Sequence, residues 1–490
     1  MHVRLLELMR RLTAGELAEL SLFIQSPFFN RSEKAAALFQ YLMLYAPHFE
    51  AAQLRAEGAF AAVWGAGKPF DKAALNRLGS QLFKLTEQFL AHAALSEDSQ
   101  RQALYLMQQY DQLELESCLS AVLQRLQSPE LQGEASLNRL ALQLETELML
   151  ADRQHRNDDR TGEANLQALN DSLDLYFVTF KLKLLNAMLS RGAVSKTDFR
   201  MAWKESVVEA LQQSPEWRTN PLTELQYLML QVLERPGDVP AYNALHEFLL
   251  GQRQALPASD LRDGFACLQN AAKRVWPVQE YYLRLFDLYR DQYEGGILHE
   301  NGKLHHAIFR NIVNSALLTG QTDWAAQFIQ NQRHCISPEA YRDAAYYQNS
   351  ALLYFHQKQF DKALDSLRQS KPADVYYKLA DRSLLARIYY EQRESEALDN
   401  LLNTFSKFVF DQQKKIAAPK VKSYRLFINS LRQWHQLLHA QPALYRKWLR
   451  HQAASDANEK TAVQAFLDET AAAPVFYGQK WLMEKAEEML

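Results

Sequence analysis

The pentapeptide Asn314-Ser-Ala-Leu-Leu318 recurs unchanged as Asn349-Ser-Ala-Leu-Leu353, 35 residues later. Further along, Ala363-Leu-Asp-Ser-Leu367 recurs as Ala397-Leu-Asp-Asn-Leu401, 34 residues later. Two echoes at nearly one period, in a chain with helical patterning throughout, indicate stacked helix-turn-helix units. Such a unit cannot bury its apolar face alone, so neighbouring units stack and form an extended surface suited to binding.

The composition of the chain also favours helices. Only 16 Gly and 15 Pro occur in 490 residues, whereas the turns and bulges of sheet proteins consume both residue types. No long stretch alternates polar and apolar residues with a period of two, so we expect no strands. The sequence therefore predicts an all-α protein, with helices over about 70 % of its residues.

Several predicted helices begin with recognisable caps. Thr13-x-x-Glu16 and Asn30-x-x-Glu33 have the spacing of capping boxes, in which two side chains bond the free amides of a first turn. The tripeptide Ser-Pro-Glu begins at Ser128, Ser214 and Ser337. Because serine caps a helix, proline suits its first residue and glutamate suits its positive end, each tripeptide predicts a helix start.

The chain contains few breaks. Gly and Pro, which helix interiors avoid, gather in short segments at 128–133, 214–221, 235–240 and 294–302. A chain of 490 residues is too long for one compact core. We therefore predict three regions: an N-terminal helical region over 1–128, a central helical array over 129–294, and repeats with C-terminal helices over 295–490.

Charge and cysteine content favour a reducing, aqueous compartment. The formal net charge of −2 gives no general attraction to nucleic acid or acidic membranes. Cys118, Cys267 and Cys335 lie far apart and form neither a disulfide framework nor a zinc motif. Charges interrupt the N-terminal stretch, and no apolar run approaches the length of a membrane span. We expect a soluble, cytoplasmic protein without a membrane partner.

The clearest repeat consists of two amphipathic helices. The first places Tyr347, Ala351 and Tyr354 on one face, and the second begins with Phe360 and Ala363 on one face. This pattern of aromatic, small, aromatic and alanine resembles the tetratricopeptide repeat, which also has a 34-residue period. The resemblance implies a right-handed superhelical array of antiparallel helix pairs, an α-solenoid, with an N-terminal helical region before it.

The resemblance is to a degenerate repeat and is confined to about 305–405. The following unit keeps Ala397 and Leu401 but not the other signature residues, and we expect Ala363 and Ala397 at equivalent helix crossings. Segments such as Asp323-Trp-Ala-Ala326 and Tyr424-Arg-Leu-Phe427 look like those of a bacterial family of tetratricopeptide-like proteins whose activity is uncharacterised. That family implies a fold and no biochemical activity.

The inner face of such an array would be lined by the first helix of each unit. Consecutive tyrosines point about 100° apart on a helix, so one of each pair serves the core while its neighbour faces the groove. Aromatic residues with Arg and His suit a peptide partner; the alternative is that they pack against adjoining helices. The candidate partner-binding residues are Gln348, Leu352, Phe355, His356, Arg382, Tyr389 and Tyr390.

A basic stretch over 401–450 contains one acid, Asp411, among many cations and aromatics. Basic residues with aromatics hold phosphates and stack bases. The alternative is that the aromatics form a core and the cations a solvated face. The candidate anion-binding residues are Lys414, Lys415, Lys420, Lys422, Arg425 and Arg432.

Three motifs fall short of a catalytic or metal site. Gly65-Ala-Gly-Lys68 lacks the strand and the Ser or Thr of a phosphate-binding loop and is typical of a turn. His435 and His439 have metal-ligand spacing but no third ligand nearby in the sequence. Arg446-x-x-x-x-His451 matches a loose motif of helical ribonucleases at a frequency that chance supplies.

The sequence therefore favours a non-enzymatic scaffold that binds a protein or peptide on the inner face of a helical array. We predict no catalytic residue, cofactor or metal. The alternatives are a nucleic-acid-binding helical protein that uses 401–450, or a helical ribonuclease that uses Arg446 and His451. The partner's identity and the oligomeric state stay open.

Overall fold

The structure is a computed structural model that describes residues 2–50, 54–128, 133–156, 164–195, 197–372, 374–453 and 457–490. Helices make up 78 % of it, so the predicted all-α class is confirmed. Two compact units are present, Met1–Lys181 and Leu182–Leu490.

The described part of the first unit contains eight complete α-helices and the beginning of a ninth, which continues into the second unit. These are α1 Val3–Met9, α2 Ala14–Gln25, α3 Glu33–Met43, α4 Ala56–Trp64, α5 Lys72–Glu97, α6 Ser99–Gln112, α7 Glu116–Gln127, α8 Leu137–Arg156 and α9 Ala164–Ser195. Apolar residues of the first five helices form one continuous core.

The described α-helices of the second unit after α9 number fifteen. These are α10 Lys204–Gln213, α11 Pro221–Glu234, α12 Val239–Gly251, α13 Ala258–Val275, α14 Val278–Glu294, α15 His306–Leu318, α16 Thr322–Gln332, α17 Arg342–His356, α18 Phe360–Gln369, α19 Val375–Glu391, α20 Ser395–Gln412, α21 Ala418–Ala440, α22 Pro442–Leu449, α23 Ala457–Ala472 and α24 Gln479–Glu487. No described helix has the length and apolar character needed to cross a membrane.

The predicted caps are confirmed in one case and displaced in another. At the start of α2, Glu16 N donates to Thr13 Oγ1 at 3.2 Å and Thr13 N donates to Glu16 Oε2 at 2.7 Å, which completes a capping box. At α3 the cap is Ser32, whose Oγ accepts from Ala35 N. The prediction of a box from Asn30 is wrong, because that side chain instead bonds Ser32 N and the carbonyl of Ile24.

Two of the Ser-Pro-Glu tripeptides begin short 3₁₀ helices rather than α-helices. These 3₁₀ helices are Pro215–Thr219 and Glu339–Tyr341, and neither of them has a side-chain cap. The α-helix after the first one is capped by Asn220, which accepts from Leu222 N at 3.0 Å. The third tripeptide, from Ser128, runs into 129–132, which lie outside the described residues.

The predicted boundary at 294 falls inside the second unit. The segment after α14 is tied on both sides: Arg262 of α13 donates to the carbonyls of Ile297 and His299, and His299 Nε2 lies 2.6 Å from Gln332 Oε1 of α16. The only described strands lie nearby, β1 Leu304–His305 and β2 Ile336–Ser337, which form one short parallel pair. The expectation of no strands therefore fails only for these four residues.

The helix-to-helix corners of the repeats share one backbone geometry. Gly320, Lys358 and Arg393 have positive φ angles of 77°, 58° and 64°. After each, the next amide donates to a carbonyl five residues back, at 2.8, 2.8 and 2.9 Å. The following helix begins two residues after the positive-φ residue in each case. This left-handed ending satisfies carbonyls that the helix end leaves free.

These corners fix the register of the repeat. Lys358 and Arg393 are 35 residues apart, so Ala363 corresponds to Leu398, and both are fully buried at 0 % exposure. Ala397, which the sequence echo aligned with Ala363, is half-buried. The predicted equivalence of the two alanines is therefore wrong by one residue, which is a rotation of about 100° on a helix.

The pentapeptide echo also occupies two different places. Residues 314–318 end α15, whereas 349–353 are followed by three more residues of α17. In the second unit, α15 contacts α16 and α17, and α17 contacts α18 and α19. Helix α19 contacts α20, which contacts α21. The apolar core of α17–α24 is continuous and includes Phe405, Trp434 and Trp448.

Candidate functional site

The predicted inner-face residues of α17 split between core and surface. Gln348 and Phe355 are buried, with 6 % and 8 % exposure, while Leu352 and His356 are half-buried. Gln348 is held in a polar network, because its Nε2 donates to Asp381 Oδ1 at 2.6 Å. Burial raises the pKa of the Asp381 carboxyl to about 6. Gln348 therefore fastens α17 to α19 and offers little surface to a partner.

The two tyrosines of α19 divide as the helical rotation requires. Tyr390 is 1 % exposed, and Trp434 Nε1 donates to its hydroxyl at 2.9 Å. Its ring lies 5.4 Å from the rings of Trp448 and Trp481. Tyr389 is half-buried. Tyr390 is thus a core residue, and Tyr389 is the member of the pair that reaches the surface.

The guanidinium that meets the α17 aromatics belongs to Arg387, not to Arg382. Arg382 lies over the ring of Phe408 of α20, 4.1 Å from its centroid. Arg387 lies 4.8 Å from the centroid of Phe355. Five residues separate the two arginines, which places them about 140° apart around the helix. The arginine beside Phe355 is therefore Arg387, whereas the predicted partner-binding residue Arg382 lies on Phe408.

Arg387 is a buried cation without a carboxylate partner among the described residues. Its exposure is 8 %, and its Nε has no hydrogen-bond partner there. Its Nη2 donates to the hydroxyl of Tyr477 at 3.5 Å, the long end of the hydrogen-bond range. The guanidinium thus lies between the rings of Phe355 and Tyr477, at 4.8 and 5.8 Å from their centroids.

Arg310 acts on the same place as Arg387, and Lys420 lies in electrostatic range of Arg310. Arg310 of α15 and Arg387 both favour the ionised form of the Tyr424 phenol, although burial is the larger effect and raises its pKa. Lys420 of α21 is exposed, with its Nζ 4.5 Å from the centroid of Tyr376. Partial desolvation and then Arg310 lower the pKa of Lys420, while Asp374 raises it. Asp374 is the carboxylate that opposes these cations at Lys420.

The pKa of His356 is affected by burial and also by Arg387. Burial and then the positive charge of Arg387 lower its pKa to about 4. The imidazole is therefore neutral at pH 7 and adds an aromatic wall and a hydrogen-bonding nitrogen rather than charge. We call the set Arg310, Phe355, His356, Arg387, Lys420, Tyr424 and Tyr477 the Arg387 surface.

The remaining predicted anion-binding residues lie in the 3₁₀ turn Gln413–Lys415 and along α21. Three of them line a cavity of about 430 Å³ together with Gln413, namely Lys414, Lys422 and Arg425. Arg425 Nη2 donates to Gln413 Oε1 at 2.9 Å. Lys415 is exposed, and Arg432 donates to Asn403 of α20 at 3.2 Å. The basic stretch therefore contributes Lys420 to the Arg387 surface and three cations to a separate cavity.

The glycine-rich segment and the Arg446–His451 motif lie outside the Arg387 surface. Gly65 follows α4 with φ 94°, and residues 65–71 connect it to α5, so this glycine-rich segment is a helix-to-helix turn. Arg446 and His451 are both exposed, and His451 Nδ1 lies 3.0 Å from Arg393 Nη2. The described contacts thus join His451 to Arg393 of the repeat corner.

Sequence reasoning missed Arg310, Arg387 and Tyr477. Arg387 could have been predicted from the sequence. It lies six residues before the corner residue Arg393, and the predicted groove residue Leu352 lies six residues before the corner residue Lys358. A register of 35 would have selected it. Tyr477 lies C-terminal to the sequence echoes, and no sequence pattern placed it near Arg387. Comparisons of the chain with protein-family models, with curated proteins and with solved structures found no match.

Proposed function

We propose that the second unit is a non-enzymatic protein-binding scaffold, and that the Arg387 surface holds a carboxylate-bearing segment of its partner. The observation that carries the proposal is the buried guanidinium of Arg387, which forms no ion pair with any described residue. A buried charge without a counter-charge is costly. A bound carboxylate would provide that counter-charge together with bidentate hydrogen bonds.

We further propose that α15–α20 stack as tetratricopeptide-like helix pairs in a right-handed superhelix. The common corner geometry at Gly320, Lys358 and Arg393 supports this stacking. Contacts of α15 with α17, and of α17 with α19, support it further, because the first helices of successive pairs are then neighbours. Arg310, Phe355 and Arg387 belong to these first helices, so they would share the inner wall.

The composition of the surface favours a protein segment over a nucleic acid. Phe355, Tyr424 and Tyr477 supply large aromatic contact areas beside the cations, which is how interface hot spots are composed. Arg387 is buried deeply enough to meet one group at a time, whereas nucleic acid binding relies on a row of exposed phosphate contacts.

Nucleic acid binding has one observation in its favour. The cavity of about 430 Å³ is lined by three cations, Lys414 just before α21 and Lys422 and Arg425 on α21. This is a different place from the Arg387 surface, although Lys420 lies in the same stretch of sequence. The two functions can therefore be separated by substitutions.

The test is a binding survey with labelled peptides of acidic, neutral and basic sequence, and with single-stranded RNA. We expect the acidic peptides to bind best, and Arg387→Leu or Arg310→Gln to weaken them by about tenfold or more. Lys415→Gln is the matched control, since it removes one exposed cation outside the Arg387 surface. It should bind acidic peptides as the wild-type chain does.

The opposite pattern would contradict the proposal. RNA binding that falls steeply with salt and is lost in Lys422→Gln, but not in Arg387→Leu, would assign the function to the cavity on α21. Acidic-peptide binding that is equal in the wild type, Arg310→Gln and Arg387→Leu would remove the role of the Arg387 surface.

A further inference from the structure

A second polar cluster lies between the start of α20 and the end of α21. Ser395 and Asp399 are four residues apart on α20, and His435 and His439 are four residues apart on α21. Residues at this spacing share one face of a helix. The contact between the two helices therefore brings the four side chains together.

The hydrogen bonds of this cluster orient both imidazoles toward one point. His435 Nδ1 lies 2.9 Å from Asp399 Oδ1, so Nδ1 donates to the carboxylate and Nε2 is left with its lone pair. Ser395 Oγ lies 2.9 Å from His435 Nε2 and 2.9 Å from His439 Nε2. The two Nε2 atoms thus converge on the same hydroxyl.

The spacing of these atoms suits a small tetrahedral cation. The two Nε2 atoms are 3.3 Å apart. Zinc binds imidazole nitrogen at about 2.0–2.1 Å, which places two nitrogens of one tetrahedron about 3.3–3.4 Å apart. Ser395 Oγ completes a triangle with edges of 3.3, 2.9 and 2.9 Å, close to one face of that tetrahedron.

We propose that Ser395, Asp399, His435 and His439 form a binding site for a divalent transition-metal ion of the zinc type. His435 and His439 bind it through Nε2, and Ser395 Oγ or a water takes a third position. Asp399 holds the tautomer and orientation of His435, as carboxylates do for metal-bound histidines. Nitrogen ligands select zinc-type ions over magnesium and calcium, which take oxygen ligands.

The surroundings provide both rigidity and access. His435 is 1 % exposed, and its ring lies 5.9 Å from that of Trp448. His439 is exposed, with its ring 4.3 Å from that of Tyr445. One ligand is therefore fixed in the core while the other faces solvent, from which an ion enters. The sequence offered no third ligand to this pair, because Asp399 and Ser395 lie about one repeat earlier.

Cobalt(II) is the probe, because its visible absorption reports tetrahedral nitrogen coordination. The chelator-treated wild-type chain should bind one cobalt ion saturably, and zinc should displace it. His439→Ala, which changes an exposed side chain and leaves the fold intact, should abolish the absorption. Asp399→Ala should weaken cobalt binding by about 10–100-fold, the usual effect of losing such a carboxylate.

The chain offers a matched control at His246. The Nε2 of this histidine lies 2.9 Å from Asp291 Oδ2. Unlike His435 and His439, it does not belong to a group of three or more potential metal ligands among the described residues. His246→Ala should bind cobalt as the wild type does. Equal cobalt binding by the wild type and His439→Ala, or no absorption in the wild type, would overturn the proposal.

A third outcome would also overturn it. Ser395, His435 and Asp399 form the hydrogen-bond chain by which a serine becomes a nucleophile. Covalent labelling of Ser395 by a fluorophosphonate in the metal-free chain, without a cobalt band, would assign the cluster to nucleophilic chemistry instead.

Discussion

Two helix pairs of the second unit, α17–α18 and α19–α20, turn through the same corner but differ in chemistry. Counted from Lys358 and Arg393, the apolar residues Leu352, Phe360 and Leu364 of the first repeat correspond in the second to Arg387, Ser395 and Asp399. The first of these belongs to the Arg387 surface and the other two to the proposed metal site. The same backbone positions thus hold apolar side chains in the first helix pair and polar side chains in the second.

This difference distinguishes the positions that pack from the positions that carry polar side chains. The corner and the buried positions Ala363 and Leu398 are kept because each pair of helices must pack. The three polar residues correspond to residues of the first helix pair that are only half-buried, namely Leu352, Phe360 and Leu364. Substitutions at corresponding positions of the two repeats therefore separate what the fold requires from what binding requires.

The largest expected effect is on the core position of the second repeat. Leu398 is fully buried at 0 % exposure, so Leu398→Ala should lower the free energy of unfolding by about 2–5 kcal/mol. Denaturant unfolding followed by circular dichroism measures this. A loss below about 1 kcal/mol would mean that the corner register does not identify the core.

Replacing Ala363 and Ala397 by a larger residue tests the 35-residue correspondence between the two helix pairs. Ala363 is fully buried and Ala397 half-buried. Ala363→Leu should overpack the helix crossing and cost roughly 1–3 kcal/mol, whereas Ala397→Leu should change stability by no more than about 0.5 kcal/mol. Equal losses in the two variants would restore the 34-residue alignment and contradict the corner register.

Making the second repeat resemble the first should separate stability from binding. Arg387 corresponds to Leu352, so Arg387→Leu gives both helix pairs a leucine at this position. The change also removes a buried charge that has no ion pair among the described residues. We expect the free energy of unfolding to rise by about 1 kcal/mol, since apolar replacement of buried charges is often stabilising, while acidic-peptide binding weakens by about tenfold or more. A clear loss of stability would make Arg387 structural.

The corners themselves predict a smaller gain. Lys358 has φ 58°, a left-handed conformation that costs a residue with a Cβ about 1 kcal/mol. Lys358→Gly should therefore raise the free energy of unfolding by about that amount. Arg393→Gly should gain less, because Arg393 also donates to the carbonyl of Tyr390 and contacts His451. A greater gain in Arg393→Gly would contradict this ranking.

The smallest net effect is on pH dependence, because two groups oppose each other. The folded pKa of His356 is about 4, below its ordinary 6.5, so its contribution to stability is lost as pH falls through that window. The folded pKa of Asp381 is about 6, above its ordinary 3.8, so its contribution is lost as pH rises through that window. In the wild type the two slopes largely cancel.

Asp381→Asn should expose the slope of His356. Its melting temperature relative to the wild type should fall as pH is lowered from 6.5 to 4, and His356→Gln should show the reverse trend. Parallel melting curves for the three chains across this range would contradict the assignment.

Much of the fold was predictable from the sequence, and most of the site was not. Low Gly and Pro content and helical periodicity gave the all-α class because they depend on local structure. The echo of Ala363 at Ala397 gave a period of 34, but backbone corners set the true register at 35. One residue rotates a helix by about 100°, which is why Arg382 was chosen and Arg387 missed. Tyr477 and the meeting of Asp399 with His435 depend on packing between helices distant in sequence.

The most direct test of the central claim is a double-mutant cycle between Arg387→Leu and a Glu→Gln change in the best-binding acidic peptide. Isothermal titration calorimetry gives the four binding free energies. If the carboxylate meets the buried guanidinium, the two changes should be coupled by about 1.5 kcal/mol or more. If the two losses add within about 0.5 kcal/mol, the peptide does not bind at Arg387.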